Sequence, residues 1–464
     1  MLKIFFLLFM AGGIPVAIAM AGASLVYILV SGNLPPFVVV HRMVSGIDSF
    51  PLLAVPFFIL AGNLMNNAGI TTRIYNFALS LVGWLKGGLG HVNIVGSVVF
   101  AGMSGTAIAD AAGLGTIEIK AMKEHGYSTE FAVGVTAASA TLGPIIPPSL
   151  PFVIYGMMGN VSIGALFLAG LMPGLLMTIL MMLTVTYYAH KNGWGRDMKF
   201  SAPRLIKALS ELAVVIGWPL GLWLLVDKFA LPAQPTVFAG LASLFILDKL
   251  FKFEALLPIM TPVLLIGGMS TGLFTPTEGA IAACLWAMIL GFAWYRTLQW
   301  KMFLKVCLET IETTSTVLFI VAAASIFGWM LTATGVTTDI ASWVLGFTKE
   351  AWVFLLLANL LMLFVGCFLE PTAAITILVP ILLPIALQLG IDPVHFGLVM
   401  VLNLMIGLLH PPMGLVLFVL ARVAGLSFER TTMAILPWLV PLLLSLAIIT
   451  YVPQLVLWLP KMFF

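Results

Sequence analysis

The octapeptides GPIIPPSL (143–150) and GLLHPPMG (407–414) each lie inside a long stretch without Asp, Glu, Lys or Arg. The first stretch runs from Phe131 to Ala189 and the second from Pro393 to Ala421. Pro147, Pro148, Pro411 and Pro412 withhold backbone donors and clash with the turn before them, so each pair holds a helix open. In hydrocarbon, the carbonyls released around Gly143 and Gly407 find no water. The chemistry on offer is capture of a hard cation by main-chain oxygens. Two turn-forming clusters, Ser104-Gly105-Thr106 and Leu369-Glu370-Pro371, can bring further oxygens to those breaks.

Other polar residues in apolar surroundings have two readings each. Asp110 can tune a cation site, carry a proton or cap a local helix end, because an unpaired charge there is costly. Glu370 has the same choices. His410 can titrate near neutral pH or simply pack while hydrogen-bonded. Arg422 can meet a substrate anion, or snorkel from a helix end to the headgroups. Asn63, in PFFILAGNLMNNAG, can bind substrate or bond to a neighbouring helix. Gly and Pro also serve as plain packing kinks in membrane helices. Against that stands the pairing of the two motifs at equivalent places, each behind its own short hairpin.

The elements that must position these residues follow from composition. The chain has 464 residues, 61% hydrophobic and 8% charged, with a mean hydropathy of +1.15. A soluble domain cannot bury that much apolar surface, so this is an all-α polytopic membrane protein. The net charge of +3 is spread over loops without a basic run, which gives no nucleic-acid partner. Cys284, Cys307 and Cys367 form no disulfide or CxxC pattern. No Walker A loop, HExxH helix or Gly-x-Ser-x-Gly elbow is present, which excludes an ATP-driven pump and the familiar hydrolases. The N-terminal apolar run to Val30 is too long for a signal h-region and is expected to be the first membrane helix.

Windows of about 20 apolar residues suit spanning helices. They fall near 4–30, 49–68, 163–189, 210–229, 232–249, 254–274, 276–296, 314–332 and 430–459. Val92–Met103 and Ala107–Met122 are too short to span and meet at Ser104-Gly105-Thr106, as the arms of a re-entrant hairpin do. Ala351–Leu369 and Thr372–Leu389 form a second hairpin around Glu370-Pro371. Each hairpin precedes a segment broken by Gly and Pro-Pro. One constant offset along the chain relates Gly143 to Gly407, Pro147 to Pro411, Gly102 to Gly366 and Gly126 to Gly390. NNAGITTRI (66–74) matches TATGVTTDI (332–340) at nearly the same offset. The chain is therefore an internal duplication. Lys191, Arg196, Lys199, Arg204 and Lys207 against Asp197 make the central linker cytoplasmic. Counting spans from there brings hairpin one in from the cytoplasm and hairpin two from outside. The fold expected is an inverted repeat with two re-entrant hairpins and two broken helices, an architecture used for ion-coupled transport.

SFPLLAVPFFILAGNLMNNAG (49–69), AGMSGTAIADAAGLG (101–115), GPIIPPS (143–149), GLFTPTEGA (272–280), FLEPTAAITILVPILLP (368–384) and NLMIGLLHPP (403–412) resemble the large membrane subunit of TRAP transporters, the DctM type, over nearly the whole chain. The resemblance implies sodium-driven import of a small organic anion, typically a carboxylate, across a bacterial inner membrane. It implies an elevator-type scaffold plus transport domain, sodium as coupling ion, and no cofactor. The implied partners are a small DctQ-type membrane subunit, a periplasmic substrate-binding protein and the lipid bilayer. Carried over, one ion site combines Ser104, Gly105 and Thr106 with the break at Ser139, Thr141 and Gly143. The other combines Phe368 and Glu370 with Asn403, Gly407 and His410. Ser104, Thr106, Glu370 and Asn403, with Asn63 and Arg422, are the substrate candidates.

The expected division is scaffold and linker helices at 1–90, a first transport half at 91–160, and scaffold at 161–350. A second transport half at 351–425 and a C-terminal scaffold helix at 426–464 complete it. Two features depart from the family pattern. The segment from Glu211 to Asp248 interposes an extra helix pair, and His410 stands where a Thr is usual. The competing functions are a binding-protein-independent carrier of the DASS or arsenite type, and an ion channel. Hairpins that abut broken helices favour a closed site over a channel's continuous pore.

Overall fold

A computed structural model describes residues 1–228, 233–253, 255–270, 273–411 and 414–463. Pro412 and the side chain of Ser104 lie outside what is described. The described residues are helical apart from loops and one isolated backbone bridge between Lys86 and Arg196. Six helical stretches among them are long and apolar enough to cross a membrane.

The first repeat opens with α1 (Leu2–Ala11) and α2 (Val16–Ser31). The single span expected over 4–30 is thus two helices. Gly12-Gly13-Ile14-Pro15 parts them, with Gly13 left-handed at φ 76° and Pro15 unable to continue the ladder of α1. Next come α3 (Phe37–Ile47), a 3₁₀ turn at Phe50–Leu53 and α4 (Ala54–Asn67). Gly69, at φ 69°, turns the chain into α5 (Ile70–Val82).

Hairpin one is α6 (Gly88–Ser104), α7 (Ala107–Ala112) and α8 (Leu114–Glu124). Its first arm has 17 residues, about 25 Å, and so is longer than the sequence suggested. The second arm is interrupted at Gly113, where a Cβ would stand 2.8 Å from Ala109 O and 3.1 Å from the side-chain amide of Asn66. The broken helix is α9 (Thr129–Ala140) and α10 (Leu150–Gly159), followed by α11 (Ile163–Lys191). The expected extra pair is α12 (Ala202–Lys228) and α13 (Ala233–Phe251), which extends further into the basic linker than 211–248.

The second repeat contains α14 (Leu256–Ser270) and α15 (Pro276–Met288), the latter running into a π turn at Ile289–Trp294. Then follow α16 (Trp300–Ala333) and α17 (Val336–Phe347). Hairpin two is α18 (Ala351–Gly366) and α19 (Pro371–Gln388); its broken helix is α20 (Pro393–Gly407) and α21 (Leu415–Ala424). The chain finishes with α22 (Phe428–Tyr451), α23 (Pro453–Leu457) and α24 (Pro460–Phe463).

The duplication is visible in capping as well as in order. Gly126 and Gly390 are left-handed, at φ 84° and 74°, and each ends a hairpin. Two positions further on, Ser128 accepts from Phe131 N at 3.2 Å, and Asp392 accepts from Val394 N at 2.8 Å. Each thereby starts a broken helix by satisfying an orphan N–H. Packing obeys the same exchange. α2 lies on α16 as α15 lies on α4, while α22 lies on α9 as α11 lies on α20. Tyr155 Oη, on α10, donates to Pro393 O at 2.7 Å and ties one broken helix to the start of the other. The counterpart of α16, a single helix of 34 residues, is interrupted between α3 and α4 at Asp48–Leu53.

The linker is stitched to hairpin one. Asp197 Oδ2 accepts from Leu89 N at 2.9 Å, capping α6, and from Tyr127 Oη at 2.5 Å. Trp194 lies tilted against Tyr127 and edge-on to Phe131, and Phe131 meets Trp438 of α22, with centroids 4.6, 4.5 and 5.7 Å apart. Such aromatic pairs contribute roughly 0.5–1.5 kcal/mol each.

Candidate functional site

The tip of hairpin one is Gly105, left-handed at φ 63°, and Thr106, whose hydroxyl accepts from Ala109 N at 3.3 Å and starts α7. A Cβ on Gly105 would stand 2.8 Å from Pro148 O, and one on Gly143 would stand 3.2 Å from Thr106 O. Tip and break therefore meet main chain to main chain, as the two motifs suggested. Hairpin two does the same higher on its arm, where a Cβ on Gly407 would stand 2.7 Å from the Cα of Gly366.

The break of the first repeat is buried and polar inside. Ser139 Oγ donates to Asn93 Oδ1 at 2.6 Å, and Thr141 Oγ1 donates to Ala138 O at 2.6 Å. Each hydroxyl has spent its proton on the protein, which leaves its lone pairs for an electropositive guest. Ser149 Oγ donates to Pro144 O at 2.5 Å and accepts from Phe152 N at 3.3 Å, restarting the helix as α10.

In the second repeat, Asn403 Nδ2 donates to Asn359 Oδ1 at 2.7 Å and to Asn359 O at 3.0 Å. Asn403 Oδ1 is buried and has no hydrogen-bond partner among the described residues. An orphan amide oxygen beside a helix break suits a cation. The expectation of free carbonyls needs correction at both breaks. Around Gly143, the oxygens of Ser139 and Ala140 accept from Leu142 N and Gly143 N, and Leu142 O accepts from both Ile145 N and Ile146 N. Gly407 O accepts from His410 N at 3.1 Å. A tight turn thus follows each helix end, and the carbonyls of Ser139, Ala140 and Gly407 keep only a second lone pair open.

Other singled-out residues have specific local work. Glu370 caps α19, taking Thr372 Oγ1 at 2.7 Å on one oxygen and Ala373 N at 3.2 Å on the other. His410 Nδ1 is 2.7 Å from Pro411 O and 3.3 Å from Cys367 Sγ. Phe368 offers an exposed ring that packs on Phe364, so only its main chain can serve a cation. Asn63 donates to Thr310 on α16 at 3.3 Å, which is the helix-to-helix alternative. Arg422 sits exposed in the last turn of α21, the snorkelling position. Asp110 is buried in the first turn of α7 with neither carboxylate oxygen partnered among the described residues.

Sequence reasoning missed Asn93, Asn359 and Glu118. The two asparagines are separated by the same offset that relates NNAGITTRI to TATGVTTDI, and that signal could have found them. Glu118, on α8, is as buried as Asp110, and its carboxylate too lacks partners among the described residues. Nothing in its spacing marks it out.

A family model described as the tripartite ATP-independent periplasmic transporter, DctM component, matches residues 3–455. The sialic acid TRAP transporter large permease protein SiaM of Vibrio cholerae is 42% identical, over 97% of this chain and 96% of its own length. The sialic acid TRAP transporter permease protein SiaT of Haemophilus influenzae is 38% identical, over 98% of this chain and 67% of its own length. Among solved structures, the YdaH transporter of Alcanivorax borkumensis superposes with a TM-score of 0.57 at 13% identity, covering 90% of this chain and 87% of that one. That last likeness is one of fold alone.

Proposed function

This chain belongs to the DctM family of tripartite ATP-independent periplasmic transporters, and from that premise we propose that it is the large permease of a sodium-driven importer of small organic acids. It is a multi-pass membrane transporter component and not an enzyme. Its place is the inner membrane, with a small DctQ-type subunit beside it and a periplasmic binding protein delivering substrate. The two relatives above are named for sialic acid, which makes a sialic acid the first substrate to try.

The observation that carries this reading is the contact of each hairpin with the break behind it. One sodium ion is held by main-chain oxygens of Thr106 and the Gly143 turn with the hydroxyls of Ser139 and Thr141. A second is held by the turn after Gly407 and by Asn403 Oδ1. The ions place positive charge beside Thr106 and beside the contact of Gly366 with Gly407, which attracts a carboxylate. The paired hairpins and broken helices then move as one body past the scaffold, alternating the site between the two faces.

The test is uptake of labelled sialic acid by proteoliposomes holding the chain with its small subunit and binding protein. Uptake should need both an inward sodium gradient and the binding protein. Equal uptake in choline buffer overturns sodium coupling. Uptake without a binding protein points to a self-sufficient carrier instead.

A further inference from the structure

Asn93 and Asn359 occupy matching places on the first arms of the two hairpins, and each reaches the first half of the following broken helix. Asn93 receives the Ser139 proton at 2.6 Å; Asn359 receives two bonds from the Asn403 amide nitrogen, at 2.7 and 3.0 Å. Ser139 and Asn403 are themselves separated by the offset that relates Gly143 to Gly407, so the same device is built twice. All four side chains are buried. Each asparagine is also held from behind. Asn93 Nδ2 donates to Thr136 Oγ1 at 2.8 Å, and Asn359 Nδ2 donates to Thr450 Oγ1 on α22 at 3.1 Å.

The direction of these bonds matters more than their number. A serine hydroxyl or an asparagine amide can donate or accept, so by itself it serves a cation or an anion equally. Ser139 has one proton, and its shorter bond is to Asn93 Oδ1 at 2.6 Å, with Thr136 O at 3.2 Å the weaker acceptor. Once that proton is given, only lone pairs remain. Once the Asn403 NH₂ is turned onto Asn359, Oδ1 is the polar atom left, and it has no partner among the described residues. We propose that Asn93 and Asn359 are positioning residues that fix Ser139 and Asn403 as pure acceptors, and so set the two breaks to take a cation. This rests on the sodium sites proposed above and adds to them the residues that orient their ligands.

The experiment is the sodium dependence of transport in the reconstituted complex, for Asn93→Ala, Asn359→Ala and Asn93→Asp. An alanine leaves Ser139 only its longer bond to Thr136 O at 3.2 Å, and leaves Asn403 only its bond to the main-chain oxygen of residue 359 at 3.0 Å. Each is then held less firmly, and the sodium needed for half-maximal rate should rise about tenfold. Asn93→Asp keeps the acceptor, and the Thr136 hydroxyl can turn to donate to it. It should restore sodium dependence to within about threefold of wild type, which a loss of packing alone would not do. Asn93→Ala added to Ser139→Ala should cost no more than Ser139→Ala by itself. If the alanine variants do not insert, Thr136→Val loosens Asn93 with little change of volume and should shift sodium dependence in the same sense.

Wild-type sodium dependence in folded Asn93→Ala and Asn359→Ala overturns the inference. So does full additivity with Ser139→Ala. Sodium-independent transport by the wild type is a different result and defeats the parent reading instead.

Discussion

Gly366 and Gly407 touch backbone to backbone: a Cβ on Gly407 would lie 2.7 Å from both the Cα and the carbonyl carbon of Gly366. The neighbours are main chain and cannot swing aside. Gly407→Ala should already impair transport, and Gly407→Leu should abolish it while the protein still inserts. Gly143→Leu should act likewise, because its nearest neighbours are the carbonyls of Thr106 and Ala140. Ser139→Ala, which removes one oxygen, should weaken sodium binding by about 1–2 kcal/mol. Uptake against sodium concentration, with membrane insertion checked by gel filtration in detergent, separates these cases.

Coupling should also be electrical. If more positive charge enters with sodium than the substrate carries as negative charge, an inside-negative potential speeds uptake. Each net charge moved across 100 mV is worth about 2.3 kcal/mol. Proteoliposomes clamped with potassium and valinomycin should show faster uptake at negative potential; a flat response means an electroneutral cycle.

Glu118 is a buried carboxylate without partners among the described residues, and its Oε1 would lie 2.9 Å from a Cβ on Gly96. Glu118→Gln keeps the shape and removes a carboxyl whose charged form is costly in that setting. Thermal unfolding should be unchanged or raised in Glu118→Gln and clearly lowered in Glu118→Lys. A large loss of stability in Glu118→Gln would mean that the charge itself holds the hairpin.

Asp197 should act as a clasp. Asp197→Ala strips the cap from α6 and the acceptor from Tyr127 together, at a cost of about 1–3 kcal/mol. The measurement is thermal stability, and Tyr127→Phe in the same background should add little, because its partner has already gone.

Much of this molecule is written in its glycines and prolines. The matched pairs at 143 and 407 gave the breaks, and those at 126 and 390 proved to be the left-handed turns that end each hairpin. The match of Gly102 with Gly366 was informative about register but not about role. Gly366 admits Gly407, whereas Gly102 admits Pro262 of α14. Amphipathic α3, α5 and α17 escaped notice because a search for long apolar windows passes over helices of 11 to 13 residues. Which ring or amide meets which could not be read either. Asn63 pairs with Thr310, far away in the chain, and only packing decides such contacts.

The unbroken α16 has a mechanical meaning. Its 34 residues extend for about 51 Å, more than the roughly 40–45 Å of a whole bilayer with its headgroups. It is a beam without a joint. The corresponding length of the first repeat has an elbow at Asp48–Leu53, between α3 and α4. A machine with one stiff arm and one jointed arm does not flex alike in its two directions of travel. Under the alternating access proposed above, the jointed side can bend where the stiff side cannot, so inward and outward poses of this duplicated chain are not mirror images.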